Sequence, residues 1–573
     1  MRSLLRTLVI VAAVVGAAVA LFVVATLPPR ARALAGSLPP HVLVGAYHVH
    51  TSRSDGTGTV DEVAAAAARA RLHFVILTDH GDGTRPPLPP EYRHGVLVID
   101  AVEISSSGGH VVALGLQAPA PYALAGLTRD VVEDVHRLGG LAVIAHPESP
   151  RRELRWRAGG VPYDGFEWLN ADSEWRDERP LRLAGTLLRA LVRGPETVVS
   201  LFSRSDRAFA RWDGRGDQRP PVRAFGLAAL DAHARVGWDD EDQPEPRRWT
   251  VLARPTYQQM FEAVAQTVLL DAAPAGDPAA DARRVLEALA AGRTYTVVRA
   301  IGDPGVLLFT AEQGDRIVST GGDLADGPAR FKAAVDGVPD AALALLRNGR
   351  VVARGAGALV HDAAVGPGDV YRVEATLGGH PFPWLVSNPI YAGVAPARRA
   401  GEPVNAEPPP SRIERFEGYD DWRIEKDPAS VSSIAADDRS GALTWRFELG
   451  PGVPAGQYAA LSVPVESQSG YASVQFDARA SRPMRLSFQV RLPGAADSQR
   501  WGRSVYLDEQ TRRFVIRLED LEPIGRTSSL RPVAARIRSL LFVVDTVNTL
   551  PGSGGTIVLS NVSLALGENG GGG

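Results

Sequence analysis

The chain has 573 residues, 45% hydrophobic and 22% charged, a globular balance with room for about four domains. A formal net charge of −3 gives no basis for general nucleic-acid binding, although a nucleotide remains admissible as a substrate. The absence of cysteine excludes disulfides, thiolate metal ligands, a cysteine nucleophile and a lipid-modified cysteine anchor.

In chain order, Arg2 and Arg6 precede an uncharged apolar stretch at 7–27, closed by Pro28, Pro29, Arg30 and Arg32. About twenty apolar residues match a bilayer-spanning helix and exceed the usual core of a cleaved signal. Residues 1–40 are therefore expected to form a membrane anchor and short tether, with the catalytic part extracytoplasmic by the positive-inside tendency. Ala31-Arg32-Ala33 keeps cleavage and secretion open as the alternative.

From residue 41, short apolar runs recur, each ending on polar residues. VLVGAY leads to His48 and His50, FVILT to Asp79 and His80, VLVID to Glu103, LAVIA to His146, and FGLAA to Asp231 and His233, with His110 in a GGH segment between. Their length and Val/Ile/Leu content predict buried strands, so the polar residues fall at strand C-terminal ends, where α/β barrels place chemistry. Thr59 with Glu62 predicts a capping box opening a helix to about Arg71. A second helix is predicted from about Arg129 to Leu138, stopped by Gly139-Gly140. Strand, helix, strand at this spacing is the βαβ pattern; with GFEWLN at 165–170, about seven strand candidates lie between Val42 and His233.

Residues 170–222 predict a mostly helical insertion, either a pair packed on the flank or a lid. Arg151, Arg152, Arg155 and Arg157 form either a solvated run or a phosphate-recognition loop. From 303 the pattern turns to short β segments, expected to form a small β-sandwich over 303–399. A Pro/Glu-rich linker is expected at 400–412, a jelly-roll-like β-sandwich of galactose-binding type at 413–567, and a flexible tail at 568–573. Glycan binding and a spacer role are equally open for the last sandwich.

In a strand, side chains two apart share a face, so His48 and His50 can offer two imidazoles to one ion, and Asp231 with His233 a carboxylate and an imidazole. Such mixed sets suit Zn, Mn or Fe, and a carboxylate such as Glu103 can bridge two ions. His41, His73, His94, His136, His361 and His380 lie outside these motifs and read as packing or surface residues.

These pieces, H-x-H, T-D-H, a lone Glu, two later His and D-x-H, resemble the PHP (polymerase and histidinol phosphatase) superfamily of metal-dependent phosphoesterases over about residues 42–235. The resemblance implies a distorted (β/α)7 barrel within 41–302 and two or three divalent ions. One ion would be held by His48, His50, Glu103 and Asp231, a second by Glu103, His110 and His146, and a third by Asp55, His80 and His233. GRTY, LLRNGR and WLVSNPIY, further along, resemble the carbaryl-hydrolase-like branch. Asp231 or Asp55 is expected to handle the proton. Arg53 and Arg235 are expected either to pair with a phosphoryl oxygen or to brace the site, and Asp79 to orient a ligand histidine. The expected function is hydrolysis of a small-molecule or envelope-derived phosphate ester. The alternatives are a carboxylester or carbamate hydrolase on the same metals and a non-catalytic binding protein.

Overall fold

A computed structural model describes residues 2–34, 37–176, 178–213, 223–240, 247–252, 254–395, 413–415, 420–437, 441–452, 456–465, 471–492 and 499–566. The expected linker at 400–412 and tail at 568–573 lie outside the described residues, as does most of the acidic stretch 239–245. The protein is mixed α/β and divides into two units, one of residues 1–81, 87–118 and 135–400, the other of 82–86, 119–134 and 401–573.

The first unit begins with helix α1 (Arg2–Ala25), whose segment Leu4–Ala25 is, among the described residues, the one helix long and apolar enough to cross a membrane. The short tether after it is held against the rest of the unit. Arg32–Ala33 pairs in parallel with Gly302–Asp303, and the Arg193 guanidinium donates to the Pro28 carbonyl.

A circuit of seven strands follows among the described residues, with a short Glu91–Arg93 strand paired antiparallel to its third member: β1 (Val42–Val49), β2 (Phe74–Leu77), β3 (Val96–Ser106), β4 (Gly109–Leu114), β5 (Leu141–Ile144), β6 (Gly165–Asn170) and β7 (Phe225–Ala229). They pair in that order, parallel except for β3–β4 and β4–β5. The exceptions have a cause: only Ser107 and Gly108 separate β3 from β4, enough for a hairpin and far too few for a crossover helix. The circuit closes where Leu230 N donates to Tyr47 O and Ala232 N to His48 O, beside a Val49–Ala232 bridge. Alternate residues such as Phe74, Ile76, Leu97, Ile99, Val112, Leu114, Phe225 and Leu227 share one core cluster. Polar residues at the strand ends are thereby gathered at one mouth.

Helix α2 (Val60–Arg69) starts with the expected capping box, Thr59 bonding reciprocally with Glu62, and α3 (Thr128–Arg137) falls close to its expected span. The insertion after β6 holds four short helices among the described residues rather than a pair: α4 (Ala171–Arg176), α5 (Pro180–Ala190), α6 (Gly194–Val199) and α7 (Asp206–Trp212). Helix α8 (Tyr257–Ala263) then leads into β8 (Ala265–Leu269), which pairs with β1 and with β9 (Thr294–Val297).

The boundary expected at 302/303 is not a break in the pairing. Strand β9 bonds to β10 (Leu385–Ser387), so the 303–395 β segments continue the first unit's hydrogen-bonded network. Two of the three segments resembling a hydrolase branch, GRTY and WLVSNPIY, supply part of this junction. Asn388, buried, donates to Gly226 O and accepts from Gly226 N, acting as a surrogate strand partner for β7. Tyr391 donates to Ala224 O, Trp384 Nε1 to Gly302 O and Tyr295 to Gly305 O.

Among the described residues, the second unit contains two six-stranded antiparallel sheets around a core that includes Trp445, Phe476, Phe488, Trp501 and Phe542, a two-sheet sandwich as expected. Its boundary was expected at 413, but 82–86 and 119–134 also belong to it. The reason is electrostatic in part: the buried Arg485 guanidinium donates to Asp134 Oδ1 at 2.7 Å and Oδ2 at 3.0 Å, while Ser504 donates to Asp130. Burial pushes the Asp130 carboxyl up to about 6 despite Arg485.

Replacing Arg485 with Met should cost about 3–5 kcal/mol, because it leaves buried carboxylates uncompensated. Asn388→Ala should destabilise the first unit by about 2 kcal/mol or more, with two buried backbone groups of Gly226 left unpaired at about 1–3 kcal/mol each. Thermal unfolding of the purified variants checks both; unchanged midpoints would remove these roles.

Candidate metal centre

The H-x-H pair meets, but not by simple strand alternation. Strand β1 has a register shift between Ala46 and Val49, and His48 sits at φ 63°. This left-handed kink turns His48 so that its Nε2 lies 3.1 Å from His50 Nε2. His146 (φ 30°) and Asp231 (φ 49°) are also in the left-handed region. Non-glycine residues there cost of order 1–3 kcal/mol each and collect at functional sites.

Three overlapping donor groups result. His48, His50, Glu103 and Asp231 bring one ligand atom each within 4.8 Å of one another, as do His50, Asp55, His80 and His233, and His80, Glu103 and His110. In the first, Asp231 Oδ1 lies 3.1 Å from His50 Nε2, and Glu103 Oε2 is 3.1 Å from His48 Nε2. In the second, Asp55 Oδ2 is 2.9 Å from His233 Nε2 and 3.8 Å from His80 Nε2, with Asp55 Oδ1 3.2 Å from His50 Nδ1. Around the third, Glu103 Oε1 faces His110 Nδ1 at 2.7 Å and His146 Nε2 at 2.8 Å. All nine predicted residues therefore come together; Glu103 belongs to two of the groups, whereas His146, expected beside His110, touches Glu103 but joins none of the three, His80 standing in its place. Two assignments are broadened: His50 belongs to two groups through its two nitrogens, and His80 lies between Asp55 and Glu103.

The electrostatics suit a cation. Burial alone would raise the Glu103 carboxyl, yet His80, His48 and His110 hold it well below the usual carboxylate range. Asp231 is likewise held low against burial by His48, His50 and His233, and Asp55 by His233 and His50. Burial depresses His48, but Glu167, Asp231 and Glu103 outweigh it and raise its pKa well above the ordinary value. Ionised carboxylates with closely packed imidazoles, five of the nine residues buried and His80 exposed, form a donor set for a hard or borderline divalent ion.

Glu167 was overlooked in the sequence, counted only as part of a strand. It accepts from His48 Nδ1 at 2.5 Å and from His146 N at 2.6 Å, and its Oε2 also takes a bond from Asn170 Nδ2. A carboxylate on Nδ1 fixes the tautomer that leaves the His48 Nε2 lone pair for an ion. The available signal was a single acid inside a six-residue strand that is buried throughout. Asn170 also reaches Asp231 Oδ2 at 3.2 Å, and the Tyr257 hydroxyl donates to His50 O at 2.8 Å.

Asp79 does not orient a ligand histidine. Its oxygens accept from Thr51 N, Ser54 Oγ, Thr51 Oγ1 and Arg53 Nε at 2.7–3.0 Å, so it anchors the loop that carries Asp55. That loop also needs Gly56, where a Cβ would meet His50 O at 2.3 Å. Arg53 spends its guanidinium on Asp79 and Asp100, which favours bracing over phosphoryl binding. Arg235 Nε donates to Asp55 O at 2.9 Å from the site's rim. Of the arginine run, Arg155 and Arg157 donate to the backbone carbonyls of Ser149 and Ser107, while Arg151 and Arg152 remain exposed.

No family model matches this chain, and no curated relative does. Among solved structures, a family 11 carbohydrate-binding module from Clostridium thermocellum, in complex with a mixed-linked tetrasaccharide, is 14% identical with TM-score 0.23 over 27% of this chain and 95% of its own. TmCBM61, in complex with a galactotriose, is 14% identical with TM-score 0.18 over 26% of this chain and 90% of its own. The agarase AgWH50C is 13% identical with TM-score 0.18 over 25% of this chain and 23% of its own. Scores at this level do not define a shared fold or a shared ligand.

Glu167→Gln should weaken divalent-ion binding by about 10- to 100-fold, since it removes the acceptor that orients His48 without removing a ligand. Titration with Mn or Zn followed by calorimetry reads this directly. Glu103→Gln should lower the bound-ion count, by elemental analysis, more than Asp55→Asn; equal losses would exclude bridging by Glu103.

Proposed function

We propose that this chain is a metal-dependent hydrolase of phosphate esters, a member of the PHP superfamily, held at a membrane by α1 with its site on the extracytoplasmic side. The observation that carries the reading is the overlap of three donor groups through Glu103, His50 and His80, since shared ligands are what a multinuclear centre requires. The closed circuit β1–β7, with its β3–β4 hairpin, fits the distorted seven-stranded barrel that the motif resemblance implies. Zn, Mn or Fe bound there would act as Lewis acids and lower the pKa of water toward neutrality.

The chain's own groups have separable tasks. In hydrolysis, water oxygen forms a bond to phosphorus, the ester P–O bond breaks, and the water proton passes to a base while the alcohol leaves. Asp231 or Asp55 takes that proton: Asp231 Oδ2 accepts a hydrogen bond from Asn170, and both oxygens of Asp55 face imidazoles. His80, the most exposed of the cluster at 39% of its side chain, marks the open side by which an ester approaches. Arg53 is engaged by two aspartates and Arg235 Nε donates to Asp55 O, so both arginines brace the loop that carries Asp55.

Purified protein loaded with Mn or Zn should hydrolyse 4-nitrophenyl phosphate or its bis-ester, lose the activity to a chelator, and regain it on metal addition. His50→Ala and Asp231→Asn should each lower turnover by more than the roughly 10- to 100-fold typical of outer-shell changes. Preference for an aryl acetate or carbamate under the same metal loading would move the assignment to carbon esters, and no turnover of any ester would indicate a binding protein.

A further inference from the structure

The end of α1 opens onto an apolar surface of the first unit. From Leu4 to Thr26 every side chain is exposed except Val23, so α1 meets the body at its last turn. There the Phe22 ring stands 3.7 Å from where a Cβ on Gly185 would be, which sets α5 against the helix end. The chain just beyond is held to the same region, since Arg193 donates to Pro28 O and Ala31 N to Glu196 Oε1. Wherever α1 is anchored, α5 is therefore close by.

At about 100° per residue, α5 has three distinct faces. Leu183, Leu187 and Ala190 line the small cleft that Asp231 and His233 also border. Arg182, Arg189 and Arg193 follow one flank. The third face carries Ala184, Gly185 and Leu188, and continues to Leu191 and Val192 through the turn in which Arg189 O accepts from Val192 N and Arg193 N. Leu188, Leu191 and Val192 are all exposed, the last two at 60%. Gly185, Leu188 and Val192 fall at i, i+3 and i+7, so the stripe that touches Phe22 at one end runs on as open apolar surface. Such a patch marks a docking place, and what lies next to it is the end of a membrane-length helix. An apolar face with an arginine flank suits a lipid interface: the aliphatic side chains enter the acyl boundary while guanidinium groups reach phosphate oxygens.

We propose that the outer face of α5 docks on the bilayer that α1 crosses, with Leu188, Leu191 and Val192 in the acyl boundary and the Arg182–Arg189 flank among the headgroups. The partner is a lipid surface, met side-on by the insertion. Because the inner face of α5 borders Asp231 and His233, the helix that rests on the membrane is also part of the metal centre's wall. The inference rests on the reading of α1 as a membrane span, and the test separates the two.

The chain has no cysteine, so one introduced thiol carries one label. Full-length protein in nanodiscs of phosphatidylcholine and phosphatidylglycerol bears a nitrobenzoxadiazole probe at Leu191→Cys, Val192→Cys, Val14→Cys or Ile317→Cys; Ile317, on the strand Arg316–Ser319, is 69% exposed and serves as the water-facing reference. Nitroxide lipids labelled near the headgroup should quench the probe at 191 and at 192 about threefold or more above its quenching at 317, and lipids labelled deep in the acyl chain should quench most at 14. Quenching at 191 and 192 no stronger than at 317, with 14 quenched, overturns the docking and leaves α1 a membrane span. An unquenched probe at 14 overturns the span and the docking with it. Blue-shifted emission at 191 and 192 without lipid quenching shows a protein surface on that face and likewise overturns the proposal.

Discussion

Everything at the mouth of the strand circuit depends on one buried carboxylate. Glu103, 1% exposed, meets His110 and His146 through Oε1 and His48, His50 and His80 through Oε2 at 2.7–3.4 Å. A carboxylate so buried is tolerable only with compensating charge. Its backbone is fixed as firmly as its side chain: Glu103 N donates to Asp79 O, and Gly81 N to Glu103 O, tying the T-D-H segment alongside β3. The β3–β4 hairpin then returns His110 opposite Ser105, within reach of the same carboxylate. Long β3 and the tight turn after it are thus what allow one acid to serve several imidazoles.

Holding the ligands there requires backbone strain, and the strain is borne by neighbouring strands. His48 and Asp231 are both at positive φ, and the segments containing them are laced together by Ala232 N to His48 O and His50 N to Ala232 O. His146 has its amide held by Glu167, which grips the His48 ring with its other oxygen. One carboxylate on β6 therefore stabilises two strained ligands on β1 and the loop after β5. Asn388 supports the next strand from behind by bonding both backbone groups of Gly226. The centre is over-determined from several elements, the condition under which such conformations persist.

Much of this was legible because strands buried on both faces write themselves as continuous Val/Ile/Leu runs, and a polar residue closing each run is conspicuous. The polar residues that close the runs and the helices after β1 and before β5 follow from that pattern, whereas Asp55 and the grouping into ligand sets rest on the family resemblance. The local reason given for the His48–His50 pairing did not hold, because a positive φ and a bulge leave no mark in an H-x-H sequence. Glu167 was hidden by the same apolar run that revealed β6. Asp79 looked like a ligand's partner from its place beside His80, but its neighbours are Thr51, Arg53 and Ser54, which only the folded loop brings to it. The pairing across 302/303 was illegible for a related reason: β9 and β10 join segments about ninety residues apart, and long-range pairing has no periodicity of its own to read.

Charge gives the last constraint on what the centre can accept. Asp55, Glu103, Glu167 and Asp231 place four carboxylates among the imidazoles, while Arg53 is neutralised by Asp79 and Asp100 and adds nothing to them. With neutral imidazoles, two divalent ions would balance these acids and a third would leave the mouth positive. A mouth of that sign favours an anionic group in the ground state and more so in a transition state where charge builds on phosphoryl oxygens. A neutral carboxylester gains less from it, since its negative charge develops only on one oxygen during attack. With Arg53 held by Asp79 and Asp100, the site has no arginine clamp from that position, and any attraction of an anion falls to the bound ions themselves.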